Sequence, residues 1–201
     1  MPSTARKQRP DRTEVRSSII KTACEIAAAD SWSAVTVRKV AERIGYTAPI
    51  IYEHFGSKDE MLDQILKQTY DDLGSAMVEE TKKYPQGEAR VRAIVMVYWR
   101  FAHETPELYH LMYGMEGARA TSDSAREYAA PTVEFVIEQL QEFNPERITK
   151  DNVMRVMVES WSMVHGVLAL NLTGYTQRYL DDEDQLLEAL IADVLCILRR
   201  Q

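Results

Sequence analysis

Cysteine is nearly absent: the 201 residues contain two, Cys24 and Cys196. Both fall in apolar helical patterns, which excludes a disulfide framework and suits a reducing compartment. Glycine (8) and proline (7) are sparse as well, and strand-like alternation bounded by turns is hardly found. Apolar runs such as residues 93–99 fall far short of the roughly 20 residues that cross a bilayer, so no membrane span is expected. Arg6, Lys7 and Arg9 are followed by no apolar stretch, so a signal peptide is not expected either. The chain lacks a phosphate-cradling glycine loop, a zinc-binding helix pattern, a nucleophile elbow and a paired carboxylate arrangement. An enzyme is therefore not expected, and no cofactor or metal is called for. His103, Glu107 and His110 share a helical spacing, but Pro106 interrupts it and all three would sit on one element, a poor metal cage. What remains is 45% hydrophobic and 27% charged, the composition of an ordinary globular chain. At this length a chain hides roughly two-thirds of its unfolded surface, enough for a core without covalent staples.

Charge is unevenly divided. Residues 1–58 hold ten Lys/Arg against six Asp/Glu, whereas 59–201 hold fourteen against twenty-five. A basic first quarter on an acidic body suggests that only the N-terminal part meets a polyanion. Residues 1–12 are polar, basic and proline-punctuated and read as an arm, with Arg6, Lys7, Arg9 and Arg12 able to reach a minor groove.

Apolar spacing with a helical period then predicts an all-α fold of about nine helices. The first spans about 13–29. Thr36 is placed to cap a short helix over 37–44 that stops at Gly45, and Thr47 to cap another over 48–55 with Pro49 in its first turn. Ser57 and Glu60 form a capping box that opens a long helix reaching about 83. Further helices are expected over 88–104, 105–113 (with Thr105 as its cap), 122–143 with Pro131 inside, 150–172 and 182–199. The chain divides into an arm at 1–12, a small domain at 13–60 and a larger helical domain at 61–201.

Residues 36–62 carry the most information. Two short helices hinge on Gly45; Val40, Ala41 and Ile44 are expected to bury the first, and Ile51, Tyr52 and Phe55 the second. This is the helix-turn-helix pattern, in which the second helix enters the major groove. Thr36, Val40-Ala41, Gly45, Thr47, Ile51-Tyr52, His54-Phe55, Lys58 and Met61-Leu62 together resemble the TetR/AcrR family of bacterial transcriptional regulators. Trp161, His165 and Gly166 resemble the W…HG signature of one C-terminal subgroup of that family.

The resemblance implies a cytoplasmic homodimer that reads a pseudo-palindromic double-stranded DNA operator. Arg38 falls at a position that contacts a base or phosphate, and Ala48, Pro49 and Ile50 at the exposed start of the recognition helix. Ile50 replaces the commoner small polar residue, which suggests contact with a thymine methyl. Tyr52, His54 and Lys58 match phosphate-contact positions, and Thr36 and Thr47 can add hydroxyl or backbone contacts. The aromatic and sulfur-rich residues of the larger domain serve either as plain core or as the wall of an adaptable pocket. The family points to a small, largely apolar effector among Tyr98, Trp99, Tyr109, Met112, Tyr113, Met157, Trp161 and His165. The eighth and ninth helices are apolar beyond the need of a surface helix and suit a four-helix dimer interface. The expected function is a repressor released from DNA by its effector. A regulator of the same fold that activates, or that answers to a protein partner or to no small ligand, stays open.

Overall fold

Helical periodicity resolves into nine α-helices, with no strand, among the residues described by the computed structural model, 11–115, 122–180 and 182–200. They are α1 (Arg12–Ala29), α2 (Val37–Arg43), α3 (Pro49–His54), α4 (Lys58–Thr81), α5 (Glu88–Glu104), α6 (Pro106–Met112), α7 (Ser122–Phe143), α8 (Val153–Leu172) and α9 (Glu183–Arg200). Short 3-10 turns at Trp32–Ala34 and Thr176–Arg178 complete the order. The expected basic arm lies almost wholly outside the described residues. Its last two positions already belong to α1: Arg12 is helical, and Asp11 Oδ1 accepts the Thr13 N–H at 3.2 Å as a cap.

Local chemistry explains most helix ends. Ser57 Oγ accepts the Glu60 N–H at 3.0 Å, and Glu60 Oε2 accepts the Gly56 N–H at 2.8 Å, so the capping box satisfies two otherwise orphan donors. Two other expected caps differ. Thr47 caps nothing, because α3 begins a residue later with Ala48 in the cap position and Pro49 removes the first amide. Thr105 donates its hydroxyl backward to the Phe101 carbonyl at 2.9 Å, closing α5 instead of opening α6. Pro131 neither breaks nor restarts α7, which runs through it.

Helices α1 to α3 form a small unit around Ile19, Ala23, Val40, Ala41, Ile51 and Phe55, all buried. Tyr52 is not among them. It stands 56% exposed, because Ile51 and Phe55, four residues apart, take the inner face and leave Tyr52 about 100° round the helix. Ile44 is half-buried. Helix α4 belongs to both units, its start packing under the small unit and its length against α5 and α7. The larger unit is a bundle of α4 to α9. Salt bridges Arg92–Glu188 and Arg199–Glu88 tie α5 to α9 on its outside.

Helix α8 runs 20 residues and is, by length and composition alone, apolar enough to cross a bilayer, although Arg155 and Glu159 interrupt its apolar runs. Its inner face (Val156, Ser160, Val164, Leu168) is buried in the bundle, while Met154, Val158, Trp161 and Leu170 stand exposed.

Candidate DNA interface and effector cavity

The turn between α2 and α3 sets the geometry of the small unit. Gly45 adopts φ +76°, Tyr46 N–H donates to the Ala41 carbonyl at 2.8 Å, and Gly45 N–H donates to the Glu42 carbonyl at 3.2 Å. This paired closure ends α2 in a left-handed residue that glycine adopts without a Cβ penalty. Helix α3 then departs with Ile51 fully buried and Pro49 and Tyr52 outward, Ile50 being half-buried.

Its far end is held by cations. Arg16 Nη1 donates to the His54 carbonyl at 2.8 Å, Arg16 Nη2 to Gln64 Oε1 at 2.9 Å, and the guanidinium lies 4.2 Å from the Phe55 ring centroid. Arg12 Nη2 reaches the Glu53 carbonyl at 3.3 Å. Both arginines meet the negative end of a short helix, where a cation is favoured, and fix its tilt from α1. Nothing in the sequence pattern marked Arg16 for this role, since its three partners lie between 38 and 48 residues away.

The remaining candidates surround α3. Arg38 is exposed on α2 and forms no ion pair among the described residues, whereas Lys39 is bound to Asp30 at 2.7 Å. Thr36 Oγ1 accepts the Lys39 N–H at 3.1 Å and keeps its own proton for another acceptor. Thr47 is exposed, and Ala48 and His54 are half-buried. Lys58, first residue of α4, reaches the Trp32 carbonyl at 3.5 Å and is half-buried. Hydroxyls, a guanidinium and an ammonium thus flank one short helix, an arrangement that can grip phosphates on either side of a groove.

A second feature occupies the bundle. A cavity of about 410 Å³ lies between α4, α5, α7 and α8, with Met112 and Tyr113 at the end of α6 and Val194 of α9 completing its lining. Of the eight sequence candidates it brings together Tyr98, Met112, Tyr113, Met157 and Trp161. Trp99, Tyr109 and His165 lie outside its lining. Trp99 stacks on His103 with ring centroids 4.6 Å apart, and the His103 ring nitrogens face the Trp99 carbonyl at 2.8 Å and Asn171 Oδ1 at 2.6 Å. Tyr109 is fully buried with its hydroxyl 2.7 Å from His165 Nδ1. Inside the wall, the Tyr98 and Tyr113 hydroxyls pair with each other. Burial raises both phenols above their ordinary range, Tyr98 well above it, so they stay neutral. The aliphatic lining from Leu73, Met77, Val91, Val133, Val136 and Leu140 was not singled out from sequence, because such side chains read as plain core.

One model for bacterial regulatory proteins of the tetR family matches residues 19–65, and another, the tetracyclin repressor-like C-terminal domain, matches residues 91–194, more than half of the chain. The chain belongs to the TetR family. Its members are DNA-binding transcriptional regulators rather than enzymes. Among curated proteins it is 27% identical over 108 residues to the HTH-type transcriptional activator FasR of Mycolicibacterium smegmatis, covering 54% of this chain and 49% of that protein. It is 22% identical over 183 residues to the HTH-type transcriptional regulator Rv0681 of Mycobacterium tuberculosis, covering 90% and 78% respectively. The match to FasR therefore spans about half of that relative's length. Among solved structures, the regulatory protein SCO4313 superposes with a TM-score of 0.77 at 24% identity, covering 96% of this chain and 99% of that one. The fatty acid degradation regulator FadR from Bacillus halodurans superposes with a TM-score of 0.71 at 16% identity, over 96% of each chain. At these identities the superpositions speak for the fold alone.

In this TetR-family chain the two features are joined by α6. Trp32, fully buried under the small unit, donates its Nε1–H to the Glu107 carbonyl in the first turn of α6 at 2.6 Å. The same short helix delivers Met112 and Tyr113 to the cavity wall. Burial raises the Glu107 carboxyl above its usual range, and the Cys24 thiol is pushed up to about 12 chiefly by burial, which makes it a structural thiol rather than a reactive one.

Proposed function

We propose that the protein is a homodimeric, cytoplasmic repressor that lays α3 into successive major grooves of a pseudo-palindromic operator and lets go when a small, largely apolar effector enters the bundle cavity. The observation that carries this reading is the pairing of an exposed α2–α3 surface with an apolar cavity through α4 and α6. In it Arg38 reads a base or phosphate, Ala48, Pro49 and Ile50 approach the groove floor, and Thr36, Thr47, Tyr52, His54 and Lys58 hold the backbone. Two recognition helices must stand about 34–36 Å apart to meet successive grooves, which requires a second copy. The exposed apolar face of α8, with α9 beside it, offers the surface for that copy. It also explains an apolar helix left half uncovered in one chain.

Titration of the protein against its own promoter region at several salt concentrations tests the DNA reading. Arg38→Ala weakens binding by about 1–3 kcal/mol per subunit and relaxes preference at one base pair. Lys58→Ala weakens it uniformly and lowers the log–log salt slope by about one unit per subunit. Unchanged affinity and slope in both variants would remove the proposed contacts. The relative FasR, named as an activator, favours a second reading in which the same bound dimer recruits polymerase. Transcription in vitro from the bound promoter separates the two: output falls with a repressor and rises with an activator.

A further inference from the structure

We infer that the cavity takes an uncharged, predominantly apolar molecule bearing one hydrogen-bonding group, and that Ser160 Oγ is the atom that meets that group. This rests on the reading of the cavity as the effector site and adds the ligand's chemistry to it. Ser160 is 7% exposed and lines the cavity, and its Oγ is a buried side-chain polar atom with no hydrogen-bond partner. A helical hydroxyl ordinarily satisfies itself on the carbonyl four residues back. Thr69 does so on Ile65 at 2.8 Å and Thr81 on Met77 at 2.9 Å. Ser160 does not, and an orphan of this kind costs about 1–3 kcal/mol unless something else pairs with it.

The rest of the wall offers a ligand little else that is polar. The Tyr98 and Tyr113 hydroxyls are engaged with each other, Tyr70 and Thr132 add two further hydroxyls, and the one charged side chain on the lining, Arg126, is exposed. A buried ionic head would have no counter-charge, and isolated charges are not buried.

Isothermal titration of the full-length protein with 1-octanol, 1-chlorooctane and octanoate tests the assignment, with DNA affinity measured beside it. The expected result is that octanol binds about tenfold more tightly than chlorooctane. Ser160→Ala should remove that difference by weakening octanol alone. The same variant should melt about 2–4 °C higher without ligand, because the orphan hydroxyl is gone. Octanol and chlorooctane binding equally to wild type would overturn the role of Ser160. Octanoate binding best, with Arg126→Ala abolishing its advantage, would overturn the uncharged class. Release of DNA by chlorooctane as readily as by octanol would overturn this inference and leave the effector reading standing. Octanol bound through Ser160 without any effect on DNA affinity would do the reverse.

Discussion

Gly74 on α4 lies close against Thr132 on α7, and its replacement provides the sharpest test of the packing described above. A Cβ placed there would sit 2.5 Å from Thr132 Oγ1, a separation that real Cβ atoms essentially never show. The obstacle is no long flexible tip: Thr132 is β-branched and stiff at χ1, and two of its three rotamers turn a hydroxyl or a methyl toward the contact. Gly74→Ala should thus combine two opposed effects. Removing a glycine from a helix interior stabilises by about 1 kcal/mol, while overpacking a helix–helix contact costs about 1–3 kcal/mol. The net expectation is a loss of up to about 2 kcal/mol. In a Thr132→Ala background the obstacle is gone, and the same Gly74→Ala should stabilise by about 1 kcal/mol. Urea unfolding of the four proteins in this cycle isolates the coupling, and the effect of Gly74→Ala must invert in sign between the two backgrounds. Because α4 carries Lys58 at its other end, the single variant should also shift operator affinity, and the double variant should restore it. Stabilisation by Gly74→Ala in the wild-type background would refute the close approach and the rigidity argued for α4.

Other expectations follow from single contacts. Trp32→Phe keeps most of the ring burial but removes the 2.6 Å bond to Glu107; it should cost about 1–3 kcal/mol in unfolding titrations and weaken the effector's influence on DNA affinity. No change in either quantity would discard α6 as the link. Gly166 faces open space, with nothing within 4 Å of an added Cβ, so Gly166→Leu should leave the chain folded yet shift sedimentation from dimer to monomer; an intact dimer would take α8 out of the interface. Burial lowers the pKa of His165, so the unfolded chain takes up a proton at higher pH than the folded one. Stability is then complete above the unfolded value of about 6.5 and falls as pH drops through the lower folded value. His165→Gln should flatten that part of the pH profile, and a slope unchanged by it would place the titrating group elsewhere.

The sequence by itself determined the helices and the family. Gly45 after an apolar pair, the Ser57/Glu60 box and the proline at position 106 are local signals, and local backbone chemistry acts within four or five residues wherever the chain goes. Helix bounds accordingly came within a few residues, and the TetR-like spacing of residues 36–62 was readable. The errors share one cause. Tyr52 counted as core because an apolar ring at helical spacing resembles one, yet a six-residue helix has room for only one inward row. Thr47 and Thr105 had the chemistry of caps, but whether a hydroxyl meets the next helix or the last depends on how the two helices meet. Tertiary structure alone decided that Arg16 clamps α3, that Trp32 docks on α6, that α7 passes Thr132 at Gly74, and that one serine on α8 has no partner. Each of these brings together residues dozens of positions apart, and their meeting depends on how whole helices pack, a property that no short window of sequence contains.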